Sequence, residues 1–153
     1  SFDKVDGVIS VVSGYSGGHL KNPTYADVVY TDSGHVEAVE ITYNPKVLSY
    51  KKLLDVFWRN IDPFDANGQF CDKGKSYRSV VFFSNKKQKD MINTSIKKLE
   101  KNFNKKIVTL VWKFDKFYKA ESFHQNYYEN NFIRYLMYKK GCQREETLKK
   151  IWN

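Results

Sequence analysis

A chain of 153 residues, 41% hydrophobic and 16% aromatic, can bury a core of ordinary size, which excludes a disordered protein. The formal net charge is +9, from 26 Lys and Arg against 17 Asp and Glu. Such an excess could attract an anionic partner, but a solvated lysine surface is the simpler interpretation. No apolar run approaches the ~20 residues of a membrane span, so we expect no membrane segment.

Four segments read as strands, because they are rich in β-branched and aromatic residues between turn signals. The segments are Val8–Ser13, His35–Tyr43, Tyr77–Phe83 and Ile107–Trp112. In the second of them side chains alternate between faces, so Glu37 shares a face with Val39, Ile41 and Tyr43. We expect this face to be buried, which leaves a carboxyl at the mouth of an apolar surface.

Helices are predicted between these strands and at the C-terminus. Ser49 is a good N-cap, and apolar residues then recur at helical spacing from Tyr50 to Trp58. A basic amphipathic helix follows from about Asn85 to Phe103, and residues 120–153 read as a charged helical tail that wraps outward. This order predicts one α+β domain over residues 1–153, with a mixed or antiparallel sheet.

The cysteines and histidines carry no metal or disulfide pattern. Cys71 and Cys142 are too few for a disulfide scaffold and form no C-x-x-C pair, so we expect reduced thiols in a cytoplasmic protein. His19, His35 and His124 lack the spacing of zinc ligands. We therefore predict no metal and no bound cofactor.

Four polar side chains in two loops and at two strand starts are the candidates for chemistry: Tyr25, Glu37, Asp72 and Tyr77. A carboxyl in apolar surroundings tends to stay protonated, and phenols donate hydrogen bonds. Together they would direct a neutral acid and two donors at a polar oxygen. The ordinary alternative is buried tyrosines bonded to backbone and a glutamate turned to solvent.

Several segments carry a closer resemblance. The sequence resembles the peptide methionine sulfoxide reductase A family in GYSGGHLKNPTYADV, SGHVEAVEITYNP, LLDVFWRNIDPFDANGQFCDKGKSYRS and FYKAESFHQNYY. The resemblance implies a ferredoxin-like two-layer sandwich and reduction of methionine S-sulfoxide, free or in proteins. It also implies a thiol mechanism: a cysteine becomes a sulfenic acid, a second cysteine forms a disulfide with it, and thioredoxin reduces that disulfide.

The resemblance also assigns roles to residues of this sequence. Glu37 in GHVEAV matches the acid that protonates the sulfoxide oxygen, and Tyr25 and Tyr77 match tyrosines that hydrogen-bond this oxygen. Asp72 matches an aspartate on the polar side of the pocket. Cys142, with Lys139, Lys140 and Arg144 close in sequence, is the candidate resolving cysteine. Cys71, beside a carboxylate, is expected to be a structural thiol.

The sequence departs from the family pattern at the attacking cysteine. The family carries it in a Gly-Cys-Phe-Trp motif, which this sequence lacks. Phe2 matches a phenylalanine shortly after that motif, so we expect the nucleophile upstream of Ser1 and no activity from the printed chain alone.

Other hypotheses are a non-catalytic sulfoxide-binding relative and a basic nucleic-acid-binding domain. The expected partners are methionine sulfoxide and thioredoxin, without nucleic acid or membrane, and the protein is expected to be a monomer.

Overall fold

The computed structural model describes residues 2–121 and 142–152. The helices and strands in chain order are β1 (Val8–Ser16), α1 (Tyr25–Tyr30), β2 (Val36–Tyr43), α2 (Tyr50–Arg59), β3 (Gly68–Gln69), β4 (Asp72–Lys73), β5 (Val80–Phe83), α3 (Lys86–Phe103), β6 (Leu110–Lys113), β7 (Phe117–Lys119) and α4 (Arg144–Trp152). Short 3-10 turns cover Phe2–Lys4 and Lys75–Tyr77.

The longest strand, β1, lies between β2 and β7 and pairs antiparallel with both. Gly14 pairs with Lys119 of β7, and a Cβ on Gly14 would overlap the Tyr118 carbonyl oxygen and the Phe117 ring. Glycine is therefore required at this point, because no side chain fits between the two strands.

The main core lies between α2, α3 and the parallel pair β5–β6. Leu54, Trp58, Ile92 and Ile107 are buried together, and Val81 and Val111 of the two strands pack against them. The helix faces predicted from spacing are those that contact this core. In α2 the Trp58 indole also donates a hydrogen bond to Ser95 Oγ of α3 at 3.1 Å.

The two strand systems meet at the end of β1. Gly17 has φ of +95°, and a Cβ on it would lie 2.7 Å from the Trp112 ring of β6. Trp112 in turn packs edge-on against Phe82 of β5, with ring centroids 6.0 Å apart. The glycine turn after β1 therefore lies directly against the β5–β6 pair.

The predicted α+β class is confirmed, as are the four strands and helices α2 and α3. The third and fourth strands begin later than predicted, at Val80 and Leu110, and Tyr77 lies in a 3-10 turn rather than at a strand start. Three short elements were missed: α1, the β3–β4 hairpin and β7. A two-residue strand and a six-residue helix are too short for hydrophobic periodicity to distinguish them from a loop.

Two expectations are wrong. Val39 is 47% exposed, so the Glu37 face of β2 is not buried along its length. The end of the tail does not wrap outward, because the Trp152 indole of α4 donates to Ile61 O at 3.1 Å and its ring packs on Phe103. The rest of the predicted tail, residues 122–141 and 153, lies outside the described residues, and so does His124. No helix within the described ranges is long and apolar enough to cross a bilayer.

Replacing Ile92 by alanine tests the core. The side chain is fully buried, so we expect Ile92→Ala to lower the free energy of unfolding by about 2–5 kcal/mol, measured by urea denaturation. Lys98→Ala on the exposed face of the same helix is the control and should change it by less than about 0.5 kcal/mol. Equal effects of the two substitutions would contradict this packing.

Candidate active site

The pairing of β1 with β2 places Glu37 beside a buried tyrosine. Tyr15 is the cross-strand partner of Glu37 on one side and of Tyr118 on the other. Directly opposed residues project from the same face of a sheet, so these three side chains form a row. Tyr15 is 1% exposed and packs with Val28 and Tyr25 of α1. Glu37 therefore stands at the edge of an aromatic cluster.

The carboxyl of Glu37 has an unusually high proton affinity. Desolvation, followed by the nearby charge of Asp72, raises its pKa from 4.5 to about 7. The residue as a whole remains solvent-exposed, so the carboxyl is only partly shielded from water. A carboxyl with this pKa is protonated in part of the molecules at neutral pH.

Tyr77 and Tyr25 bring two phenol groups to the same place. Their side chains are hydrogen-bonded to each other, and burial raises the pKa of Tyr77 well above its ordinary value. The hydrogen bond to Tyr25 and the charges of Glu37 and Asp72 raise it further. Burial, the hydrogen bond and the nearby charges all keep the Tyr77 hydroxyl protonated, so it remains a hydrogen-bond donor.

The backbone conformation around Tyr77 comes from a glycine turn. Gly74 has φ of +128°, and its carbonyl accepts a hydrogen bond from the Tyr77 amide at 3.1 Å. The 3-10 turn Lys75–Tyr77 that follows contacts β2. A sharp change of direction therefore returns the chain from the β3–β4 hairpin to the strand that carries Glu37.

Tyr25 is the first residue of α1, and a capping box fixes that position. Thr24 Oγ1 accepts from the Asp27 amide at 3.2 Å, and Asp27 Oδ2 accepts from the Thr24 amide at 2.9 Å. The Tyr25 amide is one of the first-turn donors that a helix leaves without an internal partner. Here Glu121 Oε2 accepts it at 3.1 Å.

Glu121 joins α1 to the central strand. Its other oxygen, Oε1, accepts a hydrogen bond from the Tyr15 hydroxyl at 3.1 Å. Burial first, and then this bond and the Glu121 charge, raise the pKa of Tyr15 well above the ordinary range. The Glu121 carboxylate therefore accepts hydrogen bonds from two tyrosines, from the side-chain hydroxyl of Tyr15 and from the backbone amide of Tyr25.

The glycine loop before α1 is closed by a buried histidine. The Gly18 amide donates to His35 Nδ1 at 3.0 Å, so the His35 Nε2 hydrogen is the one that donates to Leu20 O at 2.7 Å. Added side-chain atoms at Gly18 would overlap the His35 amide and Ser33. His35 therefore acts as a structural link in the loop, as its burial indicates.

The two cysteines are joined to each other, so the expectation of free thiols is wrong for this structure. A disulfide links Cys71 to Cys142 with a Cα–Cα distance of 5.3 Å. Cys71 is the second residue of the two-residue turn between β3 and β4, next to Asp72. Cys142, the predicted resolving cysteine, is thus bonded to Cys71, which we expected to be a structural thiol. Their separation of 71 residues gave no sequence signal for this pairing.

The structure brings the four predicted polar residues to one place: Tyr77 interacts with Tyr25, Glu37 and Asp72, and Glu37 interacts with Asp72. Sequence reasoning missed Tyr15 and Glu121, because their contact spans 106 residues. Among residues 2–121 and 142–152, no group of three His, Cys, Asp or Glu side chains could hold a metal ion.

The Glu121 bridge can be tested by substitution. We expect Glu121→Gln to lower the free energy of unfolding by about 1.5–3 kcal/mol, because an amide cannot accept both hydrogen bonds. In a double-mutant cycle with Tyr15→Phe, measured by urea denaturation, the coupling should be at least about 0.5 kcal/mol. Glu40→Gln, an exposed carboxyl of β2, is the matched control. Strictly additive effects of the two substitutions would exclude the bridge.

Comparison with known proteins identifies the family. The family model described as peptide methionine sulfoxide reductase matches residues 1–153. The peptide methionine sulfoxide reductase MsrA of Bacillus subtilis (strain 168) is 45% identical over 153 residues, which cover 99% of this chain and 86% of that protein. MsrA 2 of Staphylococcus aureus (strain MRSA252) is 41% identical over 153 residues, with the same two coverages.

Solved structures agree with this result. The reduced form of Mxr1 from Saccharomyces cerevisiae superposes with a TM-score of 0.77 and 30% identity, covering 82% of this chain and 73% of that one. Methionine sulfoxide reductase A of Corynebacterium diphtheriae gives a TM-score of 0.74 and 25% identity, covering 85% and 67%. The chain therefore belongs to the peptide methionine sulfoxide reductase family.

Proposed function

We propose that this protein reduces methionine S-sulfoxide, in proteins or as the free amino acid, and so repairs oxidised proteins. Family membership supports the reaction class. The observation that carries the proposal is the Glu37 carboxyl, whose pKa of about 7 lets it hold a proton at neutral pH beside the Tyr25–Tyr77 pair. Residues 1–153 would then supply the acid and the hydrogen-bond donors of a single catalytic domain.

In this proposal Glu37 is the general acid. When a thiolate attacks the sulfoxide sulfur, negative charge develops on the oxygen, which must be protonated before the sulfur–oxygen bond breaks. Protonated Glu37 supplies that proton, and the Tyr25 and Tyr77 hydroxyls exchange their mutual hydrogen bond for hydrogen bonds to the same oxygen. Asp72 keeps Glu37 protonated, since its negative charge raises the Glu37 pKa.

The disulfide bears on which thiol attacks the sulfoxide. Cys71 and Cys142 are bonded to each other and cannot attack in this state. The family resemblance assigns the attack to the Gly-Cys-Phe-Trp motif, which residues 1–153 do not contain. Activity tests should therefore use a form of the protein that includes this motif.

Once protonated, the oxygen leaves the substrate sulfur as hydroxide, and its attack on the cysteine sulfur breaks the new sulfur–sulfur bond and gives methionine and a cysteine sulfenic acid. We propose Cys142 as the resolving cysteine, which condenses with the sulfenic acid and releases water. A thioredoxin-type dithiol in the cytoplasm is the proposed final reductant, and the chemistry needs neither a metal nor an organic cofactor.

Replacing Glu37 by glutamine tests the acid role. In single-turnover reduction of a peptide containing methionine S-sulfoxide, we expect Glu37→Gln to be at least ~10²-fold slower at pH 7. The wild-type rate should fall as pH rises through about 7, because the protonated carboxyl is the active form. This limb of the pH profile should be absent from the variant.

The control for this experiment is Glu40→Gln, which alters an exposed carboxyl three residues away on the same strand. Its rate and pH profile should match those of the wild type. A Glu37→Gln rate within about twofold of wild type, with the limb near pH 7 retained, would remove Glu37 from the acid role.

A further inference from the structure

A groove lies beside the proposed site, between α1 and the 3-10 turn Lys75–Tyr77. We propose that this groove holds the residue that adjoins methionine sulfoxide in an oxidised protein, and that Tyr30 at its edge is the specificity-determining residue. The inference rests on the proposed function and deepens it. The preferred substrate is methionine sulfoxide within a polypeptide, next to an apolar or aromatic residue, rather than the free amino acid.

The groove is large enough for a side chain and a short stretch of backbone. Its volume is about 460 Å³, within the range of about 300–1,000 Å³ that is usual for small-molecule sites. One wall is the end of α1, where Val28 is buried and Tyr30 is 78% exposed. In the other wall, a Cβ built on Gly74 would meet no atom within 4 Å, so an incoming chain is unobstructed there.

The groove is continuous with the proposed site. Tyr77 lines the groove, and its side chain is hydrogen-bonded to Tyr25, its partner in binding the sulfoxide oxygen. The ring centroids of Tyr30 and Tyr25 are 6.5 Å apart, in an edge-on contact. Consecutive Cα atoms of a peptide are about 3.8 Å apart. A residue next to methionine sulfoxide can therefore reach Tyr30 while the sulfoxide oxygen is bound by the two other tyrosines.

The proposed reaction determines what can fill the groove. Methionine sulfoxide inside a protein has a residue on each side, so a bound polypeptide places neighbouring atoms against the surface around the site. Free methionine sulfoxide has no neighbouring residues and leaves the groove empty. The groove is therefore a surface by which the protein can distinguish the two kinds of substrate.

The charges at the rim of the groove favour an uncharged side chain. Lys73 is paired with Asp65, and Lys75 Nζ lies 3.9 Å from Asp32 Oδ1. Positive and negative groups therefore balance at this rim, although the net charge of the whole chain is +9. A balanced rim gives no electrostatic preference for an acidic or a basic neighbour.

Tyr30 is suited to bind an apolar or aromatic side chain. A tyrosine ring offers a large contact area at a low cost in conformational entropy, and tyrosines are enriched among the residues that dominate binding energy. Tyr25 contacts the Tyr30 ring edge-on, and the 78% exposure of Tyr30 leaves most of its surface for another partner. A substrate side chain packed on this ring removes apolar surface of both from water.

The first test compares substrates that differ only beside the methionine sulfoxide. A form of the protein that includes the Gly-Cys-Phe-Trp motif is given free methionine S-sulfoxide or end-blocked tripeptides with this residue at the centre. The flanking residues are two glycines, or one glycine and one phenylalanine in either order. With dithiothreitol as the reductant, kcat/KM should be at least about fivefold higher for one or both phenylalanine peptides than for the glycine peptide.

Substitution of Tyr30 tests which residue gives this preference. In Tyr30→Ala, kcat/KM for the preferred phenylalanine peptide should fall at least about fivefold, while the value for free methionine S-sulfoxide stays within about twofold of wild type. Tyr30→Phe keeps the ring and should keep the preference. Ile9→Ala is the matched control, because Ile9 is 70% exposed but does not line the groove, and it should change neither value.

The possible results are distinguishable. Phenylalanine peptides that are reduced no faster than the glycine peptide overturn the inference and leave the proposed function standing. An equal loss in Tyr30→Ala for the peptide and for free methionine sulfoxide also overturns it, because Tyr30 would then act through Tyr25 rather than on the substrate. Wild-type protein that reduces none of these compounds contradicts the proposed function itself, and the inference falls with it.

Discussion

The raised proton affinity of the Glu37 carboxyl depends on how two separate parts of the chain are placed. The antiparallel register of β1 and β2 sets Glu37 opposite buried Tyr15, at a place where burial raises the pKa of the carboxyl. The β3–β4 hairpin brings Asp72 close enough for its charge to oppose ionisation. A single-residue slip in the β1–β2 register would turn Glu37 to the other face of the sheet and abolish the effect.

The tyrosines around this carboxyl are held by contacts that do not involve substrate. Glu121 accepts hydrogen bonds from the Tyr15 hydroxyl and the Tyr25 amide, while the Thr24 capping box sets where α1 begins. Because Tyr77 is bonded to Tyr25, the position of α1 also fixes the second phenol. Such preorganisation lowers the cost of orienting donors toward a developing charge.

The sequence predicted the elements that have clear periodicity and the site residues that lie in recognisable motifs. Helices α2 and α3 and the strand of Glu37 follow from local patterns, and the resemblance marked Tyr25, Glu37, Asp72 and Tyr77. Long-range pairings could not be predicted. The Glu121 contacts and the Cys71–Cys142 bond join residues separated by 71 to 106 positions, and only the folded chain brings them together.

The solvent exposure of Glu37 could not be predicted from the sequence either, because it also depends on contacts between distant parts of the chain. Alternation correctly placed it on one face of β2, but the extent of burial depends on which elements pack over that face, and Val39 is 47% exposed there. Burial and the Asp72 charge raise the pKa to about 7, which suits an acid that gives up its proton at neutral pH.

The most direct test of the account is the pKa of Glu37, measured by following its carboxyl carbon by NMR from pH 4 to pH 9. We predict a midpoint of about 7, because desolvation and Asp72 both disfavour the ionised form. The midpoint should move down in Asp72→Asn, while Glu40→Gln leaves it unchanged. A Glu37 midpoint near the ordinary value of 4.5, insensitive to Asp72→Asn, would contradict the proposal that this carboxyl is the proton donor.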